Sequence, residues 1–234
     1  MIAFYIGKSE AAIYAIAYTI SMMVRYISNA VNQSFLPYLY RSIKSESLLQ
    51  VKNVQIKLLI LVLGACVSAM AFAPEILMIF ATSEYSAAIE AIPSIVISTY
   101  FIFLYNHFCY VEMYFEKNVF IMAASIIAAL LNIGLNAICI PSIGFVAAGY
   151  TTLISYIVFC CLHYAMYKKI LVEENMSDFY DTKTLAVISV LAVLITIFMQ
   201  LIYSYIMVRY LIIIGILLVG IICKNKVIDL LTRK

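Results

Sequence analysis

Long, nearly uncharged apolar runs follow one another along most of this chain and leave little sequence between them. They occupy 11–36, 56–81, 87–114, 119–140, 143–167 and 184–206, with a shorter one at 208–223. About 20 such residues make an α-helix long enough to cross the hydrocarbon core of a bilayer. A helix is suited to that solvent because it satisfies its own backbone hydrogen bonds. The expected fold is therefore all-α, a polytopic transmembrane helical bundle of about six to seven spans. Composition argues against a soluble alternative. Hydrophobic residues make up 66% of the chain and charged residues 12%, with a mean hydropathy of +1.06. A water-soluble domain needs a far more polar outer layer.

The basic residues orient the spans. The connection 37–57 holds Arg41, Lys44, Lys52 and Lys57, and the next, 82–88, holds none. Lys117 follows, then 141–143 holds none, and 168–183 holds Lys168, Lys169 and Lys183. Arg209 stands alone near the next turn, before Lys224, Lys226, Arg233 and Lys234 in the tail. Basic loops on alternate sides are the positive-inside pattern. The loops 37–57, 115–118 and 168–183 and the C-terminus are thus expected to be cytoplasmic, with seven spans and an external start. Within the second run, Pro74 predicts a break, so that 74–81 forms a short kinked or interfacial piece. The stub Met1–Ile6 carries no basic n-region and no cleavage site, so no signal peptide is expected. Six residues cannot span a bilayer, so the stub reads as the outer end of a helix whose earlier part is missing.

Polar side chains within spans face a bundle interior or an aqueous cavity. The first span carries the densest set. Tyr18, Ser21, Arg25, Ser28 with Asn29, and Asn32 recur at steps of three and four and share one helical face, with Gln33 beside it. Arg25 is the one strongly basic residue deep in a full span. Two readings of it stand: a bidentate contact for phosphate or carboxylate, or a snorkelling or internally paired arginine. Thr99, Asn106, Tyr110 and Tyr114 mark one side of the third span, with His107 and Glu112 adjacent as a conceivable proton relay. Asn132 and Asn136 share a face of the fourth span, and Thr152, Ser155, Tyr156 and His163 recur along the fifth. Interhelical hydrogen bonding explains such residues as well as substrate contact does. Glu112 lies near the end of its span and is expected to be solvated, as is the charged connector 168–183.

No catalytic motif is present: no phosphate loop, no HExxH, no nucleophile elbow. The cysteines Cys66, Cys109, Cys139, Cys160, Cys161 and Cys223 form no CxxC pair and read as packing residues. His107 and His163 are not spaced with carboxylates in a metal-ligand pattern. Binding and passage are therefore expected rather than enzymatic bond making, with no metal, no cofactor and no nucleic-acid partner.

Four stretches carry a family resemblance. "NIGLNAICIPSIGFVAAGYTTLISY" (Asn132 to Tyr156) resembles the N…lN…IP..G..GAA..T..S signature of polysaccharide and O-antigen (Wzx-type) flippases, members of the multidrug/oligosaccharidyl-lipid/polysaccharide exporter superfamily. In order and spacing, "IYAIAYTIS" with "FLPYLYRS" (Ile13 to Ser42), "APEILMIFATSEYSAAIEAIPSIV" (Ala73 to Val96) and "VEMYFEKN" (Val111 to Asn118) are similar to further family elements. Ala147 and Gly149 exchange small for small against the family pattern. The likeness covers residues 1 to about 170 and corresponds to the C-terminal lobe of a two-lobe transporter.

The resemblance implies movement of an undecaprenyl-diphosphate-linked oligosaccharide across a bacterial cytoplasmic (inner) membrane, by lobes that rock around a central cavity. It makes Arg25 a diphosphate contact and Tyr18, Asn29, Asn32 and Gln33, with Asn106, candidate sugar contacts. Residues 1–10 are then the end of a truncated helix and an external turn, and 11–170 the lobe bundle. The cytoplasmic connector is 171–182, the last two helices occupy 183–223, and 224–234 is a cytoplasmic tail. The partners implied are the lipid-linked oligosaccharide, membrane lipids, and a missing N-terminal lobe or second chain. Two alternatives remain: a cation-coupled drug or metabolite exporter, which should place acidic residues deep in its spans, and an inactive truncated product or structural membrane partner.

Overall fold

The computed structural model describes residues 1–45, 47–215 and 218, and every described element is helical. In chain order these are α1 (Ile2–Tyr5), α2 (Lys8–Lys44), α3 (Val51–Ala71), α4 (Ala73–Phe80), a 3₁₀ helix (Ser83–Glu90), α5 (Ile92–Tyr114), α6 (Asn118–Ile143), α7 (Val146–Glu173) and α8 (Thr182–Ile202). A short apolar helix, α9 (Ile206–Gly215), follows. Six of them, α2, α3, α5, α6, α7 and α8, are long and apolar enough to cross a membrane. The expected run at 208–223 begins within α9; the rest of it apart from residue 218, with Cys223 and the tail 224–234, lies outside the described residues.

The breaks between helices have local causes. The run 56–81 is not one helix, because α3 ends at Ala71 and Pro74 opens α4 near its first position. Proline fits there because the first turn of a helix needs no N–H from it. Gly144 (φ 90°) closes α6 and turns the chain into α7, a conformation that favours glycine. At the start of α8, Asp181 accepts the Thr184 N–H at 3.2 Å and caps the helix. The N-terminal stub folds as α1 and a turn at Gly7, with Ile2 and Ile6 packed beside Ile140, Ala147 and Ala148.

Helix α5 is the central post. Its central window is 89% buried, and α2, α3, α7 and α8 pack around it. Its sequence suits this position: apolar and aromatic residues recur around its circumference, and polar side chains such as Ser98, Thr99, His107 and Glu112 are buried with them, as in a helix with no outer face. Helix α6 is the opposite case. Only 6% of its window is buried, and it leans chiefly on α7, leaving an apolar face for lipid. Helices α5 and α7 pack against each other extensively. A Cβ added at Gly149 of α7 would lie 2.2 Å from Ser94 Oγ and 3.4 Å from Ala91 O, so a small residue is required where these helices meet.

The three basic connections gather at one end of the bundle. Lys52 pairs with Asp181 at 2.9 Å, Lys117 with Glu173 at 2.8 Å, and Lys168 with Asp178. Glu75, Glu90, Gln200 and Arg209 meet in contacts of their own: Arg209 binds Glu75 and the Ala71 carbonyl, and Gln200 reaches the Glu90 carbonyl. The connections 37–57, 115–118 and 168–183 thus share one end of the bundle, together with the acidic partners of their lysines. The connector 171–182 departs from expectation, for it is not merely solvated. Phe179 and Tyr180 are buried, Tyr180 OH donates to the His107 carbonyl at 3.2 Å, and Asp178 accepts from Tyr167 OH at 2.6 Å. The aromatic residues flanking its charges anchor it to α5 and α7.

Candidate functional site

A cavity of about 410 Å³ opens among α2, α5, α6 and α7. Pockets of a few hundred Å³ are the usual size for small-ligand sites. Each helix contributes one stripe at steps of three and four. Helix α2 gives Tyr18, Ser21, Met22 and Arg25; α5 gives Ile95, Ser98, Thr99, Ile102 and Tyr105. Helix α6 gives Ser125, Ala128, Ala129 and Asn132, and α7 gives Thr152, Ser155, Tyr156 and Phe159. Hydroxyls, one amide and aromatic faces therefore line a space inside an otherwise apolar bundle.

Arg25 is the one charged residue in this lining. Its Nη1 donates to Tyr18 OH at 3.3 Å, two turns away on the same helix, and among the described residues it makes no ion pair. A half-buried guanidinium facing hydroxyls keeps most of its donors available, which is the arrangement that receives an oxyanion. A hydrogen-bonded relay supports the opposite wall. Thr151 Oγ1 donates to Asn136 Oδ1 at 2.6 Å, and Asn136 Nδ2 donates to Asn132 Oδ1 at 2.9 Å. This fixes the Asn132 amide at the cavity. The α6–α7 hairpin that carries the relay is the Asn132–Tyr156 stretch.

Of the residues singled out from sequence, Tyr18, Ser21, Arg25, Thr99, Asn132, Thr152, Ser155 and Tyr156 line the cavity. Asn29 and Gln33 lie further along α2 on its exposed side. Asn32 is buried, and its amide has no hydrogen-bond partner among the described residues. Asn106 is half-buried and outside the lining. His107 and Glu112 are not brought together. Five positions apart on a helix, they point to different sides. His107 is enclosed by Phe35 and Phe103, at ring separations of 4.4 and 4.6 Å, and neither ring nitrogen has a hydrogen-bond partner among the described residues. Glu112 pairs instead with His163 Nδ1 on α7, at 2.8 and 2.9 Å, and both are fully buried. The expectation of a solvated Glu112 therefore does not hold. Nearness to a helix end did not imply exposure, because α7 continues past that level and covers it.

Tyr105, Ser125 and Phe159 were missed. Tyr105 stacks on Tyr156 (6.3 Å, 4° between planes) and touches Phe159 at 4.5 Å, forming an aromatic wall. The signal was the period from Ile95 through Ser98, Ile102 and Tyr105, obscured because apolar residues recur around the circumference of α5. Protein-family models, curated proteins and solved structures were each compared with the chain, and none matches. The likeness to the flippase family thus rests on the quoted stretches.

Proposed function

We propose that this chain is one lobe of a membrane transporter for an anionic, hydroxyl-rich amphiphile, the class to which an undecaprenyl-diphosphate-linked oligosaccharide belongs. One observation carries the reading: the cavity's single charge is the Arg25 guanidinium, set among hydroxyl and amide groups. A diphosphate supplies the opposite charge and the bidentate acceptors that guanidinium prefers. Sugar hydroxyls suit Ser98, Thr99, Thr152 and Asn132, and Tyr105 and Tyr156 present flat faces to a sugar ring. The apolar exterior of α6 suits the lipid tail's own solvent. Removing an ion of that charge from water demands a paired site, and Arg25 provides the pairing.

A cation exporter would need the opposite lining. Glu112, though buried, is spent on His163 and does not reach the cavity. Alternating access by rocking halves requires a second half, so we propose that a second lobe or chain faces the cavity mouth, with the basic end of the bundle in the bacterial cytoplasm.

The test is genetic. The chain, co-expressed with a flippase N-terminal lobe, should restore surface polysaccharide to a strain lacking its flippase. The Arg25→Gln variant, present at equal membrane abundance, should not. Equal restoration by Arg25→Gln would contradict the reading.

A further inference from the structure

Behind the aromatic wall of the cavity lies a second group of side chains that the transport reading does not use. His163 stacks on Tyr105 at 5.4 Å and meets Phe159 edge-on at 4.3 Å. On its other side it bonds Glu112 through Nδ1. Cys109 lies one turn before Glu112 on α5, at the i, i+3 spacing that places both on one face. One donor atom from each of Cys109, Glu112 and His163 lies within 4.8 Å of the others, and all three residues are buried. Neither helix could display this group alone, because His163 is 51 positions from Glu112.

We propose that Cys109, Glu112 and His163 bind a divalent transition-metal ion of the zinc class, clamping α5 to α7. The donor set is thiolate, imidazole and carboxylate, the mixture preferred by zinc and its cobalt surrogate. Charge balance supports the assignment. A dipositive ion with one thiolate, one carboxylate and one neutral imidazole is neutral, as a water-poor interior demands. Metal binding sends to solvent whatever protons the thiol and the Glu112–His163 pair carry, so the arriving charge is offset by thiolate and carboxylate.

The geometry requires small movements. Donors bonded to tetrahedral zinc at about 2.0–2.3 Å stand about 3.5 Å apart. Glu112 and His163 must therefore separate by under ~1 Å, and Cys109 must close by ~1 Å or a little more. Three protein donors leave one tetrahedral position for water or another ligand. Glu112 sits in the last turn of α5, close to the α5–α6 turn. The clamp is independent of what the cavity carries.

The experiment uses the purified full chain in detergent, stripped with chelator and titrated with Co²⁺. The expected result is one Co²⁺ per chain, with thiolate-to-cobalt charge-transfer absorption and the visible bands of tetrahedral cobalt, both removed by stoichiometric Zn²⁺. Cys109→Ser should abolish the charge-transfer band and weaken Zn²⁺ binding by more than ~100-fold. A second variant, with Cys66, Cys139, Cys160, Cys161 and Cys223 changed to Ala, should keep the band. No band in the wild type would mean that Glu112 and His163 share only a proton, and would overturn the proposal. So would a band that survives Cys109→Ser or disappears from the five-alanine variant.

Discussion

Gly149 is where the packing of this bundle can be tested most sharply. Replacing it by alanine puts a Cβ 2.2 Å from Ser94 Oγ and 3.3 Å from Ile95 Cγ1, where ordinary contacts begin at 3.4 Å. Ser94 must rotate and give up its 3.0 Å hydrogen bond to the Ala91 carbonyl, a loss of about 1 kcal/mol. The remaining overpacking of α7 against α5 adds ~1–2 kcal/mol. Alanine returns about 1 kcal/mol through its better helix propensity. The net expectation is a destabilisation of ~1–2 kcal/mol, or roughly 2–8 °C in the unfolding midpoint. Circular dichroism melts in detergent would measure it. Ser94→Ala removes the clashing oxygen, so Gly149→Ala/Ser94→Ala should be nearly as stable as Ser94→Ala alone, with a coupling of ~1–2 kcal/mol. If the two substitutions add within ~0.5 kcal/mol, the α5–α7 approach is not as described.

Further expectations concern the two ends of the bundle. At the basic end, the hydrogen bond from Lys52 to Asp181, helped by the Thr184 N–H, holds the Asp181 carboxyl down at about 2. A folded value below the unfolded one of about 3.9 means that the bridge contributes fully above about pH 4 and is lost as pH falls through about 2. The hydrogen-exchange protection of residues 175–181, corrected for the intrinsic pH dependence of amide exchange, should therefore fall on going from about pH 5 to about pH 2, and Asp181→Asn should reduce that loss. In the Arg209 contact, Glu75→Gln leaves a buried guanidinium (4% exposed) without its counter-charge. It should lower stability by ~1–3 kcal/mol, as measured by chemical unfolding, and by more than Lys52→Gln does at the solvent-screened Lys52–Asp181 pair. Reporter fusions at residue 175 should be active only as cytoplasmic reporters, and fusions at residue 84 only as external ones; the reverse would overturn the orientation.

The spans were legible because lipid selects for length and apolarity, both visible in one dimension. Their ends were not equally legible: α2 runs on to Lys44 and α7 to Glu173, well past the apolar runs, since polar last turns continue a helix freely in water. Pro74 gave the break after α3 because proline acts locally. The polar face of α2 was legible through Ser21 and Arg25 by simple periodicity. Asn29 and Gln33 fell away because each lies one position further around the helix than the buried stripe through Ser21, Val24, Ser28, Asn32 and Phe35, which runs nearly the whole length of α2. Glu112 and His163 could not be paired from sequence: what joins them is the packing of two parallel helices, and no local pattern encodes that register. Phe179 and Tyr180 likewise look like ordinary loop aromatics until α5 and α7 supply the surface that buries them.

The central claim is that the cavity receives an anionic headgroup at Arg25. The most direct measurement is a binding titration of the purified chain with undecaprenyl diphosphate, using wild type, Arg25→Gln and, as a control outside the lining, Gln33→Ala. Loss of a charge-assisted contact of about 1.5–3 kcal/mol predicts a weakening of roughly 10- to 150-fold for Arg25→Gln, with Gln33→Ala close to wild type. Equal affinity for wild type and Arg25→Gln would contradict the account.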